Sequence, residues 1–192
     1  MPPHADLQLQ ERIVKAAQRL WRTQGERGLT LRAVAKNAGT TTPTVYKRFR
    51  NRAALLVALA TRFRDQLNEE LFATKAVEEI PDRYLKWAEE HPHEYHLLFR
   101  SWADIFHPDL PRPGRMWFMQ QLAHHYGGTP DQYARAFTAL FLLGHGAADL
   151  LTTSTDEMAR EEIRSHFLAS AKALLKNIDI LKACCRGVVP AG

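Results

Sequence analysis

Residues 37–49 read NAGTTTPTVYKRF. A glycine, three threonines and a proline stand directly before a short aromatic and basic run, an order that a bare loop does not require. Gly39 permits the left-handed backbone that lets one helix stop and another start within a few residues. Thr41 or Thr42 can accept a backbone N–H as the cap of the second helix, and Thr41 is the better placed. Pro43 suits a first helical turn, where its missing donor costs nothing. Val45 and Phe49, four apart, share the face that packs inward. Thr42, Pro43, Thr44, Tyr46, Lys47 and Arg48 are left to point sideways or outward.

Working back from this stretch, Thr30 can cap a short helix through Ala38 that buries Leu31, Val34 and Ala35 and ends at Gly39. Before it, in LQERIVKAAQRLWRTQG, Ile13, Ala17, Leu20 and Trp21 recur at helical spacing up to a stop at Gly25. Two helices joined by a tight glycine turn make a helix-turn-helix, and the second is short enough to lie in a major groove. The exposed side chains suit that task. Threonine hydroxyls can bond phosphates or base edges, their methyls can touch a thymine methyl, and Tyr46, Lys47 and Arg52 suit phosphate oxygens.

Charge points the same way. The 192-residue chain carries a net +5, but residues 1–50 hold ten Lys/Arg against three Asp/Glu, while the rest hold sixteen against eighteen. A basic N-terminal quarter on a mildly acidic body predicts one segment that meets a polyanion. The start, MPPHADLQLQER, lacks the apolar core of a signal peptide, and the most apolar run, 137–151, is too short to span a bilayer and contains His145 and Asp149. Cys184 and Cys185 are adjacent, which makes neither a disulfide framework nor a metal spacing and suits a reducing cytoplasm.

Downstream the periodicity stays helical. A connecting helix over 53–73 places Leu55, Leu59, Phe63, Leu67 and Leu71 on one stripe. Prolines then punctuate helices expected near 82–91, 92–106, 114–126, 130–152 and 157–177. The expected fold is all-α. It comprises a helix-turn-helix domain over 1–52, ordered from about residue 9, a helical body over 53–186, and a flexible tail over 187–192.

The run LTLRAVAKNAGTTTPTVYKRFRNRAALLVAL resembles the N-terminal signature of the TetR family of bacterial regulators through Thr30, Val34, Ala35, Ala38, Gly39, Thr44, Tyr46, Phe49, Arg52 and Leu55. The resemblance implies that Thr30, Thr41, Thr42, Thr44, Tyr46, Lys47 and Arg52 lie at or near DNA, with Pro43 among them. Pro43 departs from the family's usual small residue, and Ala53-Ala54 replace its usual acidic pair. YLKWAEEHPHEYHLLF is similar to the corresponding region of many such regulators. FLLGHGAADLL resembles a C-terminal type marked by Trp, His and Gly, with Phe141 in the Trp position before His145-Gly146. Such bodies bind small ligands and dimerise, so both properties are implied here.

Other clusters have simpler readings. His91, His93, Glu94 and His96 lack the spacing of a metal helix, and no phosphate loop or nucleophile elbow is present, so neither a metal, a cofactor nor an enzymatic mechanism is expected. Large aromatics between residues 87 and 141 exceed what a small helical core needs. Trp87, Phe99, Trp102, Phe106, Trp117 and Phe141 are expected to line an apolar ligand site, with His145, Asp104 or Asp149 as polar anchors. For pairing, Phe137, Leu140, Gly144, Ala148 and Leu151 on one helix and Ile163, Phe167, Ala171 and Leu174 on the next form apolar bands suited to a two-fold four-helix bundle.

The function expected from these readings is a cytoplasmic homodimeric repressor that leaves a palindromic double-stranded DNA operator when a small apolar or aromatic effector binds. The alternative is a helical ligand-binding or enzymatic protein whose head no longer binds DNA.

Overall fold

The computed structural model describes residues 3–101 and 112–182, and every regular element among them is helical. In chain order these are α1 (Pro3–Gly28), α2 (Leu31–Asn37), α3 (Thr42–Arg48), α4 (Arg52–Phe72), α5 (Ile80–Glu90), α6 (Pro92–Arg100), α7 (Pro113–Tyr126), α8 (Ala134–Thr153) and α9 (Glu157–Lys176). Short 3-10 turns cover Val77–Glu79, Pro130–Tyr133 and Ile178–Leu181. Trp102, Asp104, Phe106, the paired cysteines and the expected tail lie outside the described residues.

The chain divides into two compact units. The first joins the described parts of 1–66 and 91–110, so it holds α1 to α3, most of α4, and α6. Its core is built from Ile13, Ala17, Leu20 and Trp21 of α1, Val34 and Ala35 of α2, Val45 of α3, Leu55, Leu59 and Phe63 of α4, and Tyr95 and Leu98 of α6, all buried. Gly25, at φ 62 and ψ −158, leaves the helical region and kinks the end of α1, as the stop at that position requires.

Within this unit, polar ties bind segments beyond residue 52 to α1. Trp21 Nε1 donates to the His93 carbonyl at 3.0 Å, and Arg22 Nε donates to Glu94 Oε1 at 2.6 Å. Glu94 is buried, and a buried carboxylate persists only when it is paired. On α4, Arg62 bonds Gln18 Oε1 and Glu11 Oε1, each at 2.7 Å. At the end of α1, Glu26 takes Arg100 Nη1 at 2.7 Å and Arg52 Nη2 at 3.3 Å, and the Arg100 bond chiefly holds its carboxyl below the usual value.

The second unit joins 67–90 with the described part of 111–192. Within it, α8 packs on α5 and α9. Leu85, Trp87 and Ala88 of α5, Leu140, Ala147, Ala148 and Leu151 of α8, and Phe167, Ala171 and Leu175 of α9 are buried. The rings of Tyr84 and Phe167 lie against the α8 backbone at Gly144, where a Cβ would meet both in ordinary van der Waals contact at 3.5 Å. Arg160 and Arg164 of α9 hold Glu89 of α5, and Arg164 also reaches Asp82 at 3.1 Å.

This packing covers much of the expected pairing surface within one unit. Leu140, Gly144, Ala148, Leu151, Phe167 and Ala171 already face the interior of their own unit, and Phe137, Ile163 and Leu174 are half-buried. Periodicity identified apolar bands correctly but could not tell which neighbour covers them. The side of α8 left open carries Leu142, Leu143 and Leu150, with relative exposures of 61%, 43% and 55%. The helical stretch over Pro130–Thr153 runs 24 residues, so by length and composition it is long and apolar enough to cross a membrane, unlike the shorter run read from sequence.

The turn between α2 and α3 tests the role given to glycine. Gly39 sits at φ 61, and a Cβ there would meet only Arg12 Nη2, at 3.8 Å. Gly39→Ala should therefore add backbone strain without a clash, lowering stability by about 1–2 kcal/mol in a urea titration. An unchanged midpoint would show that the left-handed conformation is not maintained.

Candidate nucleic-acid interface

The α2–α3 pair is held from several directions. Thr30 caps α2, accepting Ala33 N–H at 3.1 Å. The far end of α2 closes through Ala38 N–H to Val34 O at 2.8 Å and Thr40 N–H to Ala35 O at 3.0 Å. Two α1 arginines cover the carbonyls left over: Arg12 reaches Ala38 O at 2.8 Å and Arg19 reaches Asn37 O at 3.3 Å. These cations favour the negative end of the α2 dipole and satisfy its orphan acceptors.

Thr41, not Thr42, is the N-cap of α3, and its hydroxyl accepts Thr44 N–H at 3.4 Å while bonding the Thr44 hydroxyl at 2.8 Å. Pro43 follows in the first turn. Val45 and Phe49 are buried, which fixes the rotation of the helix. At 100° per residue, Pro43 and Lys47 then stand opposite Val45, with Tyr46 on one flank and Thr44 on the other. The exposures agree: Pro43, Tyr46 and Lys47 are exposed, and Thr42 and Thr44 are half-buried. Seven residues make a helix about 10 Å long, a fit for a groove about 12 Å wide.

The basic surplus of the head is partly spent on structure. Arg12, Arg19, Arg22 and Arg52 are bound to protein acceptors. Arg52 in particular donates from Nε to Leu29 O at 3.1 Å and from Nη2 to Glu26, so it braces the start of α4. Lys36 and Lys47, at the ends of α2 and α3, are exposed and have no carboxylate partner among the described residues. Lys36 was missed in the sequence reading. Its signal was its place in the last turn of the first motif helix, where a side chain reaches past the helix end.

The residues expected at the effector site are divided. Phe99 belongs to the first unit and packs on Tyr95 at 4.7 Å between ring centroids. Trp87, Trp117, Phe141 and His145 belong to the second, where Trp87 is buried and the others are half-buried. Trp117 meets Phe72 at 4.9 Å, and Phe141 stacks on Phe137 at 5.8 Å and on His145 at 6.1 Å. Burial lowers the His145 pKa, against a smaller upward pull from Asp149, so the imidazole is neutral at pH 7. Among the described residues, no three His, Cys, Asp or Glu side chains gather in a group able to hold a metal ion.

Removing the α3 cap gives a local test. Thr41→Ala should cost about 1 kcal/mol and speed hydrogen exchange at the first α3 amides more than in α1. Exchange in α3 equal to wild type would show that the hydroxyl is not its cap.

Comparison with known proteins supports this construction. Residues 13–59 match the family model described as bacterial regulatory proteins, tetR family. No curated protein matches the chain. Among solved structures, the transcriptional regulator SCO7222, a TetR from Streptomyces coelicolor, is similar with a TM-score of 0.67 at 22% identity, covering 91% of this chain and 99% of that one. A TetR variant from Acinetobacter baumannii AYE in complex with minocycline is similar with a TM-score of 0.63 at 16% identity, covering 90% and 97%. A further tetR-family transcriptional regulator from Streptomyces coelicolor gives 0.66 at 19% identity, covering 88% and 83%. At these identities the structural likeness establishes the fold, while the family match lies on the helix-turn-helix itself. Residues 13–59 therefore match the TetR family's N-terminal model, and the chain as a whole has the all-helical fold of the TetR structures it resembles.

Proposed function

We propose that this chain is a homodimeric repressor that leaves its operator when a small molecule binds in the helical body. The observation that carries the reading is the outward face of α3, where Pro43 and Lys47 stand exposed opposite Val45 with Tyr46 and Thr44 beside them. Lys47, Tyr46 and Lys36 serve phosphates, and Thr42, Pro43 and Thr44 meet base edges. Thr30 and Thr41 keep spare hydroxyl capacity beyond their caps for phosphate oxygens. Arg52 acts mainly as a brace, which differs from the direct phosphate role expected of it. Such a protein works in the bacterial cytoplasm, where its DNA is.

Two recognition helices on a two-fold axis read a palindrome with half-sites about one helical turn apart, or a multiple of it. The pairing surface falls to the open side of α8, where Leu142, Leu143 and Leu150 are exposed around Gly146. Contiguous exposed apolar side chains of this kind mark association surfaces. Two copies joined there, with α9 alongside, would form a four-helix arrangement. The effector must bind the state that does not fit DNA more tightly than the state that does, because equal affinity shifts nothing. The minocycline complex of the Acinetobacter protein supports an effector role for this fold.

Lys47→Ala should weaken binding to all DNA sequences about equally and reduce the log–log salt slope by about one unit per lost contact, so about two per dimer. Thr44→Ala should instead change the preference among sites by about 1–3 kcal/mol. Fluorescence anisotropy across a salt series checks both, and a wild-type slope in Lys47→Ala would rule out its phosphate contact.

Two glutamate substitutions separate the pairing surfaces. Leu150→Glu should give a folded monomer with little operator affinity, whereas Phe167→Glu should lower stability by about 3–5 kcal/mol, because its charge enters the interior of one chain. Sedimentation and circular dichroism distinguish these outcomes. A Leu150→Glu chain that remains dimeric would place the interface elsewhere.

A further inference from the structure

Two charges of the first unit stand at the wrong ends of their helices. Glu26 lies at the C-terminal end of α1, just past the Gly25 kink, where free carbonyls disfavour an anion. Arg52 opens α4, where the helix dipole disfavours a cation. Each relieves the other. Arg52 Nη2 reaches the Glu26 carboxylate and the Glu26 carbonyl, each at 3.3 Å, and its Nε donates to Leu29 O at 3.1 Å. A third charge joins them: Arg100, at the end of α6, gives Nη1 to the other carboxylate oxygen of Glu26 at 2.7 Å. All three residues belong to the same unit.

The two arginines hold Glu26 unequally. A charge-assisted N–H···O⁻ bond is about 2.7–2.9 Å long, so Arg100 makes a full one and Arg52 a stretched one. The Arg100 bond is also the main reason that the Glu26 carboxyl titrates below its usual value. Arg100 has no second acceptor among the described residues, whereas Arg52 keeps two backbone carbonyls and leaves its Nη1 without one. The side chains of Glu26, Arg52 and Arg100 are 46%, 41% and 52% exposed, so an outside group can reach them. Exposed pairs of this kind are weak, and a better anion displaces them.

A DNA phosphate is such an anion, and Arg52 is placed to meet one. It opens α4 four residues after α3 ends at Arg48, so its Cα lies within about 14 Å of that end. Phosphates flank both sides of a major groove about 12 Å wide, a distance that this linker and an extended arginine side chain can cover. The competitor for that guanidinium is Glu26. We propose that Arg100 is a positioning residue for DNA binding, which occupies Glu26 and thereby leaves Arg52 able to take a backbone phosphate through Nη1. Without Arg100, both carboxylate oxygens turn to Arg52, and their unbalanced charge repels the phosphate as well. The proposal rests on the DNA-binding part of the reading above and not on its effector or its pairing surface.

The probe is a fluorescein-labelled duplex of mixed sequence, because phosphate contacts do not depend on sequence. Anisotropy across a salt series gives the log–log slope. Arg52→Gln and Arg100→Gln should each lower that slope by about one unit per bound chain, and the double variant by no more than either alone. Glu26→Gln should restore Arg100→Gln but not Arg52→Gln. A general loss of positive charge would instead give additive losses and rescue of both variants. Either of those results, or a wild-type slope in Arg100→Gln, would overturn the proposal. Circular dichroism checks the fold of each variant. Should Arg100→Gln not fold, Glu26→Gln alone decides, because removing a competitor should leave the slope at or above that of wild type. A shallower slope would show that Glu26 holds Arg52 in place for DNA, and would overturn the competition. Wild type without any salt-dependent affinity would refute the DNA-binding reading and this proposal together, whereas the other failures leave that reading standing.

Discussion

A helix of seven residues cannot hold itself in water. Helix nucleation is unfavourable, and isolated helices below about a dozen residues are marginal even with good formers. The surface proposed to meet DNA is such a helix, so its orientation is borrowed from what surrounds it. Val45 and Phe49 anchor its inward face, Thr41 closes its first turn, and Gly39 sets the angle at which it leaves α2. Arg12 secures the same turn from α1 by taking the Ala38 carbonyl. Each device is small, and together they fix which residues of TTPTVYKR look outward.

That dependence explains how the head uses its charge. A reading by net charge treats every N-terminal cation as available to a polyanion. In the structure, Arg12 and Arg19 satisfy helix carbonyls, Arg22 neutralises the buried Glu94, and Arg52 joins Glu26 to the Leu29 carbonyl. The same residues that make the segment basic also tie α4 and α6 to α1. Glu26, shared between Arg52 at the start of α4 and Arg100 at the end of α6, is where those ties converge. A displacement of α6 would act on the head directly through Trp21, Arg22 and Glu26.

Local features were legible in the sequence, and long-range ones were not. Caps, breaks and inward faces within a helix are encoded by neighbours a few residues apart, so Thr30, Gly39, Thr41 and Val45 stand in the roles their spacing predicts. The docking of α6 on α1 depends on Trp21 meeting a backbone carbonyl 72 residues away, and no spacing rule encodes that. The expected pairing surface shows a different limit. Because α8 is apolar on more than one side, its periodicity contains two stripes, and the one through Leu140, Gly144 and Ala148 belongs to α5 and α9 of the same chain. The stripe through Leu142, Leu143 and Leu150 was equally visible but less regular.

The claim on which the account depends most is sequence-specific DNA recognition by two α3 helices at once. Footprinting of the full chain on the DNA flanking its own gene, at physiological salt, tests it directly. The account predicts protection of two palindromic half-sites on one face of the duplex, about one helical turn apart or a multiple of it, by one dimer. Uniform weak protection with no preferred site would contradict it.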